Sequence, residues 1–115
     1  MNHQGSCHCG RVAFEAEGEI GQLADCNCSI CQRTGAIHWF VPRDKLRLKT
    51  PAADLATYTF GSGSIKHHFC PVCGIHPFGE GADPAGNAMA AVNVRCLDGV
   101  DLAVLTVKHF DGRSL

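Results

Sequence analysis

Cys26, Cys28 and Cys31 crowd into six positions of DCNCSICQRTGA, residues 25–36. Three thiolates at this spacing can reach one soft metal ion and leave a tetrahedral position over. FCPVCG, residues 69–74, is a second concentration of sulfur. Its C-P-x-C-G spelling is that of a zinc knuckle. Two residues between Cys70 and Cys73 let both sulfurs meet one ion, and Gly74 permits the left-handed turn that aims backbone N–H groups at them. SCHCG, residues 6–10, adds Cys7 and Cys9, again followed by glycine. Seven cysteines divide most simply into a closed group of four and an open group of three. Spacing alone leaves a second division open, in which Cys26 and Cys28 join Cys70 and Cys73.

Competing uses of the cysteines fit less well. A redox C-x-x-C normally opens a helix in a βαβ setting, and no such pattern surrounds residues 70–73. A disulfide framework belongs to small exported chains. MNHQGSCHCGRVAF has no apolar signal region, so the expectation is a cytoplasmic protein with reduced thiols. Cys96, the eighth cysteine, reads better as a small buried hydrophobe than as a nucleophile or a further ligand.

Other side chains are candidates for supporting roles. His38, His67, His68 and His76 are potential ligands or bases. In SIKHHF a strand would send His67 and His68 to opposite faces. His76, three residues past Cys73, is the best placed of the four for a hydrogen bond to a metal site. Arg33 follows the central cysteines and is positioned to balance a zinc-thiolate charge or meet a substrate carboxylate. Trp39 and Phe40 read as half core and half pocket wall.

The elements that would hold these residues are mostly strands. Residues 11–17, RVAFEAE, alternate between apolar and charged, the mark of a half-buried strand. Residues 36–41 read as a strand stopped by Pro42, followed by a short strand around LRL. LATYTF (55–60) and SIKHHF (64–69) flank a Gly-Ser-Gly loop as a hairpin whose second arm runs into Cys70. Residues 75–80, 88–94 and 103–110 predict further strands, with a loop over 81–87. No window sustains a helical period. The fold class is therefore mainly β, with at most one or two short helical turns, one of them just after Cys31.

Size and charge narrow the function. A chain of 115 residues fits one domain, read here as 1–115. A domain this small buries a modest core, and eight cysteines suggest that metal staples supplement it. The formal net charge is -1, and Lys and Arg form no run, which argues against a nucleic-acid partner. No apolar run approaches the roughly 18 residues of a membrane span.

G-S-C-H-C-G-x-V-x-F-E, C-N-C-S-I-C-Q-R-T-G-A, F-C-P-V-C-G-I-H-P-F and the closing V-N-V-R-C-L-D-G-V-D-L with H-F-D-G-R occur in this order from about residue 5 to residue 113. Together they resemble the glutathione-dependent formaldehyde-activating enzyme family, which also includes centromere protein V. The resemblance implies a mainly-β, Mss4-like zinc-stapled fold and two zinc ions per chain. It assigns Cys7, Cys9, Cys70 and Cys73 to a structural zinc, and Cys26, Cys28 and Cys31 to a second, reactive zinc. It implies a carbon–sulfur lyase that reversibly adds a thiol such as glutathione to formaldehyde or a related small aldehyde. The soft thiolate set suits a further soft ligand, the sulfur of a thiol substrate. The alternatives are a non-enzymatic zinc module that binds a protein partner, and a thiol reductase using Cys96.

Overall fold

The computed structural model describes residues 1–114. Its strands are β1 (Asn2–Ser6), β2 (Ala13–Glu17), β3 (Leu23–Cys26), β4 (His38–Pro42), β5 (Leu46–Leu48), β6 (Ala56–Tyr58), β7 (Lys66–Phe69), β8 (Phe78–Ala82), β9 (Ala88–Asn93) and β10 (Val107–Phe110). A single six-residue helix, α1 (Ser29–Thr34), lies between β3 and β4, and several 3₁₀ turns complete the described residues. No helix there is long and apolar enough to cross a membrane.

The strands form two sheets. One is three-stranded in the order β1-β2-β5; the other is seven-stranded in the order β10-β3-β4-β9-β8-β7-β6. All pairings are antiparallel except β10 on β3. An isolated bridge between Gly5 and Leu97 ties the small sheet to a loop after β9.

Alternation decides which face of each strand is buried. On β2, Phe14 and Ala16 are buried while Glu15 and Glu17 face outward. On the large sheet, Trp39 and Val41 of β4, Ala90 and Val92 of β9 and Phe78 of β8 turn inward to meet them. Phe14 and Phe78 meet in a tilted pair, ring centres 5.6 Å apart, and neither is exposed. Burying each such ring contributes roughly 1.5–3 kcal/mol. A smaller apolar cluster of Cys7, Val12 and Cys70, with Leu48 and Leu55, surrounds the first group of sulfurs.

The outer face of the large sheet is different. One cross-strand row runs Tyr58, His67, Gly79, Ala91, Phe40, each residue paired with the next. His38, two positions before Phe40, projects to the same side. The two central residues of the row are small, so the middle of this face is a shallow trough between rings.

The mainly-β expectation holds, and several boundaries move. β1 and β3 were not anticipated: NHQGS lacks apolar alternation, and LADC follows a Gly-rich turn. The helix starts before Cys31 rather than after it, since Cys28 is its extended N-cap and Gly35, at φ 70°, its left-handed C-cap. The hairpin loop is longer than Gly-Ser-Gly, because its arms end at Tyr58 and begin at Lys66. The strand expected over 75–80 lies at Phe78–Ala82, and so enters the segment expected as loop. The last strand is shorter than 103–110, because Asp101 accepts a bond from Ala103 N at 3.0 Å and caps a 3₁₀ turn over Leu102–Val104.

Candidate metal centres

Cys7 leaves the end of β1, and Cys9 follows in a turn completed by Gly10 at φ 85°. Cys70 leaves the end of β7, and Gly74, at φ 79°, returns its N–H to the Cys70 carbonyl at 2.8 Å. The two turns face each other. Cys7 Sγ lies 3.7 Å from Cys9 Sγ, which lies 3.6 Å from Cys70 Sγ. All four sulfurs, with Cys73, fall within 4.8 Å of one another. Tetrahedral zinc, with bonds near 2.3 Å, sets its sulfurs about 3.8 Å apart. The backbone already favours thiolates here. Val12 N points at Cys7 Sγ (3.3 Å) and Cys73 N at Cys70 Sγ (3.5 Å). The Ile75 and Cys9 N–H groups pull the Cys73 thiol down to about 6, and the Cys73 N–H lowers that of Cys70. Cys9 goes the other way. The Arg11 N–H favours its thiolate, yet desolvation and the neighbouring sulfurs push it up to about 11. Four crowded sulfurs cannot all ionise unaided, and a divalent cation removes that conflict.

The second group is built on β3 and α1. Cys26 ends β3, Cys28 caps the helix, and Cys31 sits one turn inside it. Their sulfurs also lie within 4.8 Å of one another. Cys28 N approaches Cys26 Sγ at 3.4 Å. Burial opposes ionisation of Cys28, but the Cys31 N–H and the adjoining thiols outweigh it and hold Cys28 below the ordinary thiol value. Burial and its thiol neighbours raise Cys31. Three soft donors in this state fit a soft divalent ion and leave part of its surface uncovered.

Two neighbours of this group were poorly legible in the sequence. His38 is buried at 7% exposure and sets Nε2 3.3 Å from Cys31 Sγ. Its Nδ1 is buried without a partner, and burial, with the charges of His76 and His67, lowers its pKa to about 4. Once a bound metal ionises Cys31, a neutral ring can donate Nε2–H to its sulfur, with Nδ1 left as an unprotonated lone pair. The second neighbour is the C-terminal segment. Phe110 pairs with Cys26, and Asn27 N donates to Phe110 O at 3.2 Å. The Asn27 side chain donates to Asp111 Oδ1 at 3.0 Å and accepts from Arg113 N at 2.9 Å. Arg113 also bonds Gln32 of α1. Gly112 lies directly against Cys26, so this strap covers one side of the group. The glycine in H-F-D-G-R was the signal available for it.

The remaining candidates separate by position. Arg33 is exposed, donates to Ser29 O at 2.8 Å, and lines a groove of about 300 Å³ with Ser29, Ile30, Tyr58 and Phe60. This groove adjoins the helix that carries Cys31. A larger open cleft of about 800 Å³, bordered by Arg43, Asp44 and Asp83, contains no cysteine. His67 and His68 do face opposite ways. His68 is buried between Thr57 Oγ1 (2.8 Å) and Glu80 Oε2 (2.5 Å), while His67 stacks on Phe60, ring centres 5.5 Å apart. Trp39 is core, as half of the expectation had it; Phe40 is 56% exposed on the outer face and lines neither groove. His76 hydrogen-bonds a backbone carbonyl rather than a cysteine. Cys96 belongs to neither sulfur group. Its thiol lies 3.8 Å from His76 O, and burial first, then Cys7 and Cys73, push it up to about 11. A half-buried thiol raised in this way is a weaker nucleophile than an exposed one.

The family model described as glutathione-dependent formaldehyde-activating enzyme matches residues 2–110. Among solved structures, the crystal structure of a Rhodobacter sphaeroides protein is similar at 34% identity and a TM-score of 0.78, over 91% of this chain and 99% of that one.

Proposed function

The chain belongs to the glutathione-dependent formaldehyde-activating enzyme family, and on that premise we propose that it reversibly adds a thiol of the glutathione type to formaldehyde or a related small aldehyde. The observation that carries this reading is the three-cysteine group at the edge of a ring-lined outer face. Cys7, Cys9, Cys70 and Cys73 would hold a closed, structural zinc. Cys26, Cys28 and Cys31 would hold a second zinc with a position free. When bound there, zinc supplies a soft site that favours the thiolate form of a substrate sulfur. The chain's own residues do the rest. His38 holds the Cys31 thiolate in place through Nε2. Asn27 and the strap fix the loop that carries Cys26 and Cys28. The groove beside Arg33 offers a cation to a substrate carboxylate. The gain expected from such a site is mainly proximity and orientation of sulfur and carbonyl carbon.

The test is the rate at which glutathione and formaldehyde exchange with their S-hydroxymethyl adduct, followed by NMR line shape with zinc-loaded protein. The parent should accelerate exchange above the uncatalysed rate, and Cys28→Ser should not. A parent indistinguishable from buffer would overturn the reading. Exposed Phe40, Tyr58, Phe60 and Ile65 on the same side favour the second reading, a zinc module that binds a protein partner. That reading gains if the parent is inert.

A further inference from the structure

We propose that His76 is the residue that takes the proton from the incoming thiol and returns it to the aldehyde oxygen. This rests on the thiol-addition reading and goes beyond it by naming the group that moves the proton.

The geometry fixes what His76 can do. Its Nδ1 lies 2.6 Å from the carbonyl oxygen of His68. A carbonyl oxygen only accepts, so the ring hydrogen is on Nδ1. A neutral imidazole has one such hydrogen, and Nε2 is therefore a bare lone pair. No protein group hydrogen-bonds Nε2 among the described residues. Burial holds the ring below the ordinary histidine value, so it is neutral near pH 7; the bond to His68 O works in the other direction and would support the charged ring once formed.

Its position is equally constrained. The His76 ring lies over Gly79, where a Cβ would come within 3.8 Å of Cε1. Gly79 is a bare residue of the trough floor, next to Ala91 in the cross-strand row. The His67 ring stands 6.2 Å away on one side. On the other side β9 separates it from His38, which shares the outer face and touches Cys31. The backbone reinforces this spacing. Asn93, opposite His38, donates to the His76 carbonyl at 2.9 Å through its side chain and to Pro77 O at 2.9 Å through its N–H. Neighbouring strands are about 4.8 Å apart, so residues two strands apart are separated by roughly 10 Å, with Asn93 between the two histidines. A charged His76 disfavours a charged His38, consistent with rings that share one trough.

The step balances without a further reagent. As the thiol binds, its S–H proton passes to His76 Nε2; the thiolate sulfur then adds to the carbonyl carbon and the carbonyl π pair moves onto oxygen. The imidazolium then gives its proton to that oxygen, leaving the hydroxymethyl thioether and a neutral ring. Breakdown of the adduct runs the same transfers in reverse.

Two measurements test this role. In ¹⁵N NMR of the zinc-loaded protein, His76 Nε2 should show the unprotonated shift when free and move toward the protonated one with glutathione, but not with S-methylglutathione, which has no proton to give. In kinetics, His76→Gln should keep two equivalents of zinc and a thermal midpoint near the parent's. It should nevertheless lose on the order of a hundredfold of the acceleration, within the usual range for one acid–base group. Added imidazole should restore part of the loss in His76→Ala. A parent that accelerates alongside an equally fast His76→Gln overturns this role alone, as does an Nε2 already protonated in the free protein. A parent that accelerates nothing overturns the thiol-addition reading and this role with it.

Discussion

A methyl group placed on Gly112 would sit 2.6 Å from the Cys26 sulfur and 3.2 Å from Cys28 Cβ. Neither neighbour is the free end of a flexible side chain, so the strap or the cysteine loop has to move. Gly112→Ala is therefore expected to weaken metal at the three-cysteine group at least tenfold while sparing the four-cysteine group. Competition with a graded chelator would show one fast-released and one slowly released zinc, and identical release from parent and variant would contradict the prediction. A second residue-scale effect concerns acid. Partial burial, then the charges of His76 and His68, hold His67 below the ordinary 6.5. The unfolded chain therefore binds this proton first, and stability falls as pH drops through 6.5 toward the folded value. In His67→Gln that part of the slope disappears. Denaturant midpoints measured at several pH values between 7 and 5 would be parallel in the two proteins if His67 contributed nothing.

At the scale of elements, the parallel strand β10 and the turn after it hold the second sulfur group from outside. Asn27→Ala removes two side-chain hydrogen bonds from this clasp, each worth roughly 0.5–1.5 kcal/mol. Amide exchange at residues 110–114 should quicken about tenfold, with exchange in β8 and β9 unchanged. Uniform quickening across the large sheet would mean that the strap is part of the global folding unit. This clasp also marks where sequence reading stopped short. β2 was legible because Phe14 and Ala16 alternate with charge, and the knuckle because only two residues separate its cysteines. β10 pairs with β3 across more than eighty residues, and no local pattern announces that. β1 is polar along its length, and its place comes from pairing with β2 rather than from its own composition. His38 was visible only as one histidine of several, since its contact with Cys31 depends on the turn between α1 and β4.

For the whole molecule, the two sulfur groups divide labour by what they connect. The first brings Cys9 against Cys70, 61 positions later, between the small sheet and the knuckle. Structural zinc sites contribute about 10–16 kcal/mol of apparent binding free energy, more than the total stability of most small domains. Cys70→Ser should therefore abolish the cooperative thermal transition. Cys28→Ser should keep it, because Phe14, Trp39, Phe78 and Val92 pack without help from the second group. It should also fray the strap, since Gly112 packs against Cys26 and Cys28 of that group. Calorimetry with metal analysis on both variants separates the cases: a sharp transition in Cys70→Ser would remove the structural role, and its loss in Cys28→Ser would make the second group part of the scaffold.

The strap has a consequence in time. A ribosome delivers Cys26, Cys28 and Cys31 long before it delivers Phe110, Gly112 and Arg113. Throughout that interval the nascent chain carries three adjacent thiols without the cover that later lies over them. Vectorial synthesis thus leaves these thiols open until β10 docks, an interval in which oxidation competes with any metal for the same three sulfurs.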